Sequence, residues 1–174
     1  MGTYISVCSS EMYQQKYMEF LLEHYTQLNL PYSYPVTLSF LASPILMDRE
    51  TFLCFNDDHE VVGAFSYIYG TGEHQYEDVH IIQIQVAFFL EEYRSTRLFL
   101  QAIQFLTDHI TQLGENVQEI RFWTPADDYL RRLFHKIATN KASVDTSFGT
   151  LDEYQALFSA WQAYSAKFRS SKWS

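Results

Sequence analysis

The tightest constraint on this chain is the order of patterns between Val79 and Ala138. An apolar run, HIIQIQVAFFL (residues 80–90), reads as a strand and feeds a polar turn, EEYRST. The turn opens onto RLFLQAIQFLTDHI, where Leu98, Ile103, Leu106 and Ile110 recur at helical spacing, and Gly114 ends the helix. A second strand, QEIRFW, follows after a short break. A strand that delivers a turn onto a helix start brings unpaired backbone N–H groups and the positive end of the helix dipole to one point, where a phosphate can be held. The turn Arg94–Phe99 is therefore the first candidate functional segment.

The remaining patterns predict an α+β, or layered α/β, domain with a central mixed sheet. TYISVC alternates as a first strand, and Ser9-Ser10 before Glu11 starts a helix with Tyr17, Phe20, Leu21, His24, Tyr25 and Leu28 on one face. Pro31 and Pro35 interrupt it, and a short helix is expected over Thr37–Ala42, before Pro44. TFLCF and VVGAFSYIY flank the polar NDDHE as a hairpin, and GTGEHQYEDV reads as a loop. Beyond Pro125, Asp127 and Asp128 sit at the favoured start of a helix through DDYLRRLFHKI. VDTSFGT reads as a last strand, and Asp152–Phe168 as a closing helix with Leu157, Trp161 and Tyr164 along one side. With no repeat or linker in its 174 residues, the expectation is one domain over 1–174, with its core over about 3–150 and its last helix over about 152–168.

Composition narrows the function. Hydrophobic residues at 47% and aromatics at 17% exclude a disordered chain. A formal charge of −9 argues against nucleic acid or an anionic membrane as partner and favours a cationic one such as an amine. Cys8 and Cys54 are too few for a disulfide framework or a CxxC metal site, so ordinary thiols in a reducing compartment are expected. The histidines, His74 and His80 included, lack metal-ligand spacing, and no metal is expected. The N-terminus lacks the basic start and apolar core of a secretory signal, and no segment has the length to cross a bilayer, so the expected location is cytoplasmic. Gly2 and Ser6 match the myristoylation pattern, which is too short to carry an assignment by itself.

The tract LEEYRSTRLF, between the fourth strand and the helix, resembles the acetyl-CoA loop of the GNAT superfamily of N-acetyltransferases, [QR]-x-x-G-x-[GA]. Tyr93-Arg94 matches the common lead-in, whereas Arg97 and Phe99 stand where the superfamily has small residues. The resemblance covers about residues 50–150, and the first fifty loosely. It implies a GNAT-like mixed sheet of six to seven strands flanked by helices, splayed between strands 4 and 5, with acetyl-CoA as co-substrate. The pantetheine arm would hydrogen-bond to strand-four backbone near Phe89 and Leu90. The backbone of Arg94, Ser95, Thr96, Arg97, Leu98 and Phe99 would surround the pyrophosphate, with two guanidiniums adding charge-assisted contacts.

The resemblance also assigns an acceptor and a mechanism: direct attack of an amine, on a small molecule or a protein, upon the thioester. The segment N-x-x-A-x-x-[FL]-Y-x-K-x-G maps onto Asp127, Leu130, Leu133, Phe134, Lys136 and Ala138, and Asp127 joins the cofactor-binding set. Phe134 then replaces the tyrosine that protonates the departing thiolate, and a phenyl ring has no proton to give. His135 and Tyr129 are nearest in sequence but point in other directions along the helix. Strand four offers Gln83 and Gln85 rather than a carboxylate base, so Glu77 and His80 at its entrance are the candidates, His80 with the better unperturbed pKa. Tyr32 and Tyr34, in the proline-flanked PYSYP loop, would line the acceptor site, whereas Phe65, Tyr67 and Tyr69 either line it or pack a helix on the sheet. A homodimer is compatible with this reading. The alternatives are a GNAT-shaped binding or regulatory module that has lost acetyl transfer, and an unrelated α+β interaction protein.

Overall fold

The computed structural model describes residues 2–28, 30, 32–46, 51–94, 96–114, 116–146 and 149–173, without the side chains of residues 73, 96 and 168–173. Its elements run β1 (Thr3–Val7), α1 (Glu11–Glu23), α2 (Tyr25–Leu28), α3 (Tyr34–Leu46), β2 (Thr51–Asn56), β3 (Val61–Tyr69), β4 (Ile81–Phe89), α4 (Thr96–Leu113), β5 (Glu119–Pro125), α5 (Asp128–Phe134), β6 (Thr139–Thr146), β7 (Gly149–Leu157) and α6 (Phe158–Trp173). The strands form one seven-stranded mixed sheet in the order β1-β2-β3-β4-β5-β7-β6. β4 and β5 run parallel, with Ile81 opposite Glu119, Ile82 opposite Ile120 and Gln83 opposite Arg121. Crossing from β4 to a parallel β5 requires the intervening α4, which is why the strand-helix-strand pattern constrained the fold so strongly. No helix among the described residues is long and apolar enough to cross a membrane.

The chain forms two compact units, Met1–Ile68 with Ile84–Arg94, and Tyr69–Gln83 with Ser95–Ser174. In the first, β1 pairs antiparallel with β2, and β2 with β3. Asn56 Oδ1 accepts the N–H groups of Asp58 and Glu60 and so shapes the NDDHE turn. Ser10 caps α1 by accepting the Tyr13 N–H, and Tyr17, Phe20 and Leu21 turn inward as their spacing predicts. They join Leu41, Leu53, Phe55, Val86 and Phe88 in one core. Phe65 lies stacked on Phe52, ring centroids 4.7 Å apart, so this strand face packs the interior. Helix α3 is longer than the short Thr37–Ala42 helix expected and runs through Pro44. Proline there removes the N–H that would bond the Phe40 carbonyl, and Ser43 Oγ donates to that carbonyl instead, at 2.7 Å.

In the second unit, α4 has its amphipathic face as read, and Gly114 follows it at φ +70°. The C-terminal third departs from expectation. Val144–Thr146 end β6 and Gly149 and Thr150 open its antiparallel partner β7, Ser147 and Phe148 lie outside the described residues, and the helix expected from Asp152 begins only at Phe158. Residues 152–157 extend β7, which pairs with β5 from Leu151 opposite Pro125 to Leu157 opposite Glu119. Their burial alternates, with Asp152, Tyr154 and Ala156 inward. An aspartate at the head of the inward face hid a period of two.

Candidate functional site

The turn that follows β4 is built by short-range bonds. Tyr93 N–H donates to Leu90 O at 2.8 Å, and Arg94 N–H to Glu91 O at 3.2 Å. Asn56 Nδ2 donates to the Tyr93 hydroxyl at 3.2 Å and ties the turn to the end of β2. Arg94 folds back over the strand it leaves: Nε donates to Phe89 O at 2.7 Å, and the guanidinium stands 5.4 Å from the centre of the Phe88 ring. That fixes the guanidinium plane and leaves its Nη end as a fork without a partner among the described residues. Leu90 N–H is spent on Val62 O at 2.9 Å and Phe89 O on Arg94 Nε, so each of the two strand residues expected to meet pantetheine has one backbone group already engaged. The Phe89 ring covers Gly63, where an added Cβ would come within 2.3 Å of it.

Helix α4 begins at Thr96 with no acidic residue in its first turn, so the positive end of its dipole is not neutralised locally. Arg97 is exposed there and Leu98 is buried. Phe99, the residue most at odds with a glycine position, turns its ring edge-on to Phe134 at 5.1 Å. Ser95 lies outside the described residues, as does the side chain of Thr96. Asp127 caps α5, Oδ1 accepting the Leu130 N–H at 3.0 Å.

Glu77 and His80 come together in an open depression of about 500 Å³, lined also by His74, Gln75, Asp78 and Ile81. The loop around it is tightly bonded to itself. Thr71 donates to Asp78 through both its N–H (2.7 Å) and its hydroxyl (2.6 Å). Burial pushes the Asp78 carboxyl up, but the Thr71 donors and His74 outweigh it and hold the group below the ordinary carboxylate range. Asp78 is thereby committed to the loop, whereas Glu77 and His80 are exposed. The backbone of His80 is anchored, its carbonyl accepting the N–H groups of Gln118 and Glu119. Gly70, at φ +82°, allows the loop to close, because a Cβ there would lie 2.6 Å from Tyr76 backbone. His80 precedes β4 and Arg94 follows it, so nine strand residues, roughly 30 Å of chain at ~3.3 Å each, separate them along the sequence. Among the described residues no group of three or more His, Cys, Asp and Glu is arranged to hold a metal.

A cluster that sequence reasoning missed lies between α5, β5, β6 and β7. Asp152, fully buried, accepts Arg131 Nε at 2.7 Å, Arg131 Nη2 at 3.0 Å and Ser143 Oγ at 2.7 Å. The Arg131 fork and the Ser143 hydroxyl hold its carboxyl below the ordinary range against the cost of burial. Beside it Phe122, Phe134 and Tyr154 pack ring against ring, with centroids 5.0–5.3 Å apart. The alternation of Asp152, Tyr154 and Ala156 was the one available signal. In the first unit, Tyr32 packs against Phe40 at 5.4 Å and Tyr34 against Tyr25 at 5.3 Å, and both tyrosines stay about half exposed.

Spermidine N-acetyltransferase SpeG from Vibrio cholerae, in complex with CoA and spermine, superposes with a TM-score of 0.63 at 11% identity, over 91% of this chain and 98% of that one. The Salmonella typhimurium acetyl transferase that modifies the N-terminal serine of ribosomal protein L7/L12 superposes with a TM-score of 0.61 at 13% identity, over 89% and 94%. This is the GNAT fold. The expected mixed sheet flanked by helices is thus present, with seven strands and β4 parallel to β5. At sequence level, no family model and no curated protein matches the chain. Identities this low carry the GNAT architecture and leave the chemistry to the side chains.

Proposed function

We propose that this protein is an acetyl-CoA-dependent N-acetyltransferase that acetylates an amine of a small molecule or of a protein by direct attack on the thioester. The observation that carries this reading is Arg94, which follows β4 of a GNAT fold with its guanidinium fixed by Phe89 O and its Nη fork without a partner among the described residues, two positions before α4 begins in the sequence. These residues fit a diphosphate. Arg94 offers its two Nη donors, Arg97 adds a second exposed cation, and the first-turn N–H groups of Thr96, Arg97 and Leu98 lack intrahelical partners by construction. Phe89 is the strand contact for the pantetheine arm, with Leu90 beside it, while Ser95, Thr96 and Asp127 complete the cofactor-binding set.

Glu77 and His80 are the base candidates, set in a depression open enough to admit an amine. Tyr32 and Tyr34 are the acceptor contacts. The formal charge of −9 favours a cationic acceptor. The two fold neighbours take amine acceptors, a polyamine and a protein N-terminus. A cytoplasmic location and a homodimer belong to the same proposal.

The test is thiol release from acetyl-CoA over a panel of polyamines, lysine peptides and N-terminal serine peptides. Release coupled to a mass gain of one acetyl group on one amine class is expected. His80→Gln should then lower kcat by about a hundredfold or more, as loss of a general base does. Saturable CoA binding without turnover on any amine would instead favour the second reading, a CoA-binding regulatory module, to which Phe99 and Phe134 already lend weight by packing together where small and hydroxylated residues were expected.

A further inference from the structure

The face of β5 and β7 that turns away from α5 and α6 carries a pair of side chains that the fold does not use. Phe122 and Tyr154 point into the aromatic cluster under those helices, so the period of two turns Trp123 and Glu153 to the opposite face. The two stand directly across from each other in the antiparallel register, which sets their Cβ atoms about 4.5–5.5 Å apart. Trp123 is 40% exposed, whereas Trp161, a tryptophan that packs the interior, is 2% exposed. Glu153 is partly buried and has no hydrogen-bond or ion-pair partner among the described residues.

The charges beside this pair are matched elsewhere. Arg121, the next β5 residue on that face, donates Nε to Glu119 at 2.7 Å, and Gln155 Nε2 donates to the other Glu119 oxygen. Lys141 falls in the bulge of β6 beside Ala142, and no ion pair joins it to Glu153. On the other side of the pair, Pro125, Leu151 and Val144 line up across β5, β7 and β6 as an apolar row, with Val144 exposed. The patch therefore joins an indole face, one unmatched carboxylate and a strip of hydrocarbon. An alkylammonium satisfies all three: its cation is drawn to the indole quadrupole and to the carboxylate, and its methylenes lie on the apolar row. An anionic ligand would meet Glu153 head-on, and a neutral one would leave that carboxylate without a counter-charge.

We propose that Trp123 and Glu153 form a cation subsite that holds a second, unreacting ammonium of the acceptor, which makes the acceptor a diamine or polyamine. The positioning role rests on the acetyl-transfer reading above, whereas the binding rests on the pair alone. β4 pairs with β5 only as far as Gln83 opposite Arg121, so Trp123 lies two residues past the last position the strands share. On the acetyl-transfer reading the thioester lies between these strands. An ammonium held on β5 and β7 then tethers one end of a short chain and leaves the nitrogen at the other end free to attack. No bond forms or breaks at the subsite.

The test is calorimetric titration of wild type, Glu153→Gln and Trp123→Leu with 1,4-diaminobutane, and with 1,4-butanediol as the uncharged control. Saturable heat from the diamine and none from the diol is expected of wild type. Each variant should bind the diamine about fivefold more weakly or worse, with a thermal midpoint within about 2 °C of wild type because neither side chain is fully buried. Quenching of indole fluorescence by the diamine should disappear in Trp123→Leu. Should that variant fail to fold, Glu153→Gln, which keeps the shape and removes the charge, carries the test. No saturable binding by wild type up to about 50 mM diamine, with or without CoA, overturns the proposal, as does affinity within about twofold of wild type in a folded Glu153→Gln. For the positioning role, KM for the diamine should rise about fivefold in Glu153→Gln while kcat stays within about twofold, and an unchanged KM overturns that role. Diamine binding that depends on the pair, with no acetyl transfer to any amine, contradicts the acetyl-transfer reading and supports the cation subsite.

Discussion

Tyr17 and Arg94 mark the two ways in which single residues matter in this molecule. Tyr17 donates from a fully buried hydroxyl to Ser66 Oγ at 2.7 Å, with burial pushing its phenol up. Tyr17→Phe leaves Ser66 facing an apolar ring, at a cost of about 1–3 kcal/mol for the unpaired group. A urea midpoint that falls accordingly with unchanged slope is expected, and an unchanged midpoint would show that Ser66 finds another partner. Tyr17 was legible as an inward residue because it recurs with Phe20 and Leu21 at helical spacing. Its bond to Ser66 was not, since it joins residues 49 apart in sequence. Arg94 was legible as a cation at a strand-helix turn, but its bond to Phe89 O is a rotamer choice that no pattern encodes. Cys54, by contrast, behaves as read: burial pushes its thiol up to about 12, which leaves it a packing residue.

Among the elements, β7 is where pattern reading and structure part. Periodicity arguments treat aspartate as outward-facing, and in LDEYQAL the aspartate faces in because Arg131 reaches it from α5 and Ser143 from β6. This staple ties helix and hairpin to the sheet and carries a pH signature. The Asp152 carboxyl is held below its unfolded value of about 3.9, so its contribution is complete above that value and is lost as pH falls through the lower folded one. Asp152→Asn should be less stable than wild type at pH 7, with the gap between their urea midpoints shrinking as pH falls below about 4. A gap that stays constant into that range would mean that the charge on Asp152 is not what stabilises the folded state. Strands β2 to β5 and helix α4 were legible for the complementary reason that their buried residues are mostly apolar, with Thr51, Ser66 and Thr107 as polar exceptions.

For the molecule as a whole, the GNAT fold was legible because a strand, a crossover helix and a parallel strand in succession leave few ways to complete a mixed sheet. The chemistry was less legible, because the groups proposed to carry it come from separate stretches of sequence, the loop before β4 and the turn after it. A chain of formal charge −9 also repels an anionic cofactor at long range, so any affinity for acetyl-CoA must come from local cations and helix-end amides. The most direct measurement is a calorimetric titration of wild type and Arg94→Ala with acetyl-CoA. The account predicts saturable binding to wild type and affinity weakened roughly 10- to 150-fold in the variant, the worth of about 1.5–3 kcal/mol for hydrogen bonds to a charged group. No saturable heat from wild type at millimolar acetyl-CoA, or equal affinity in the two proteins, would contradict it.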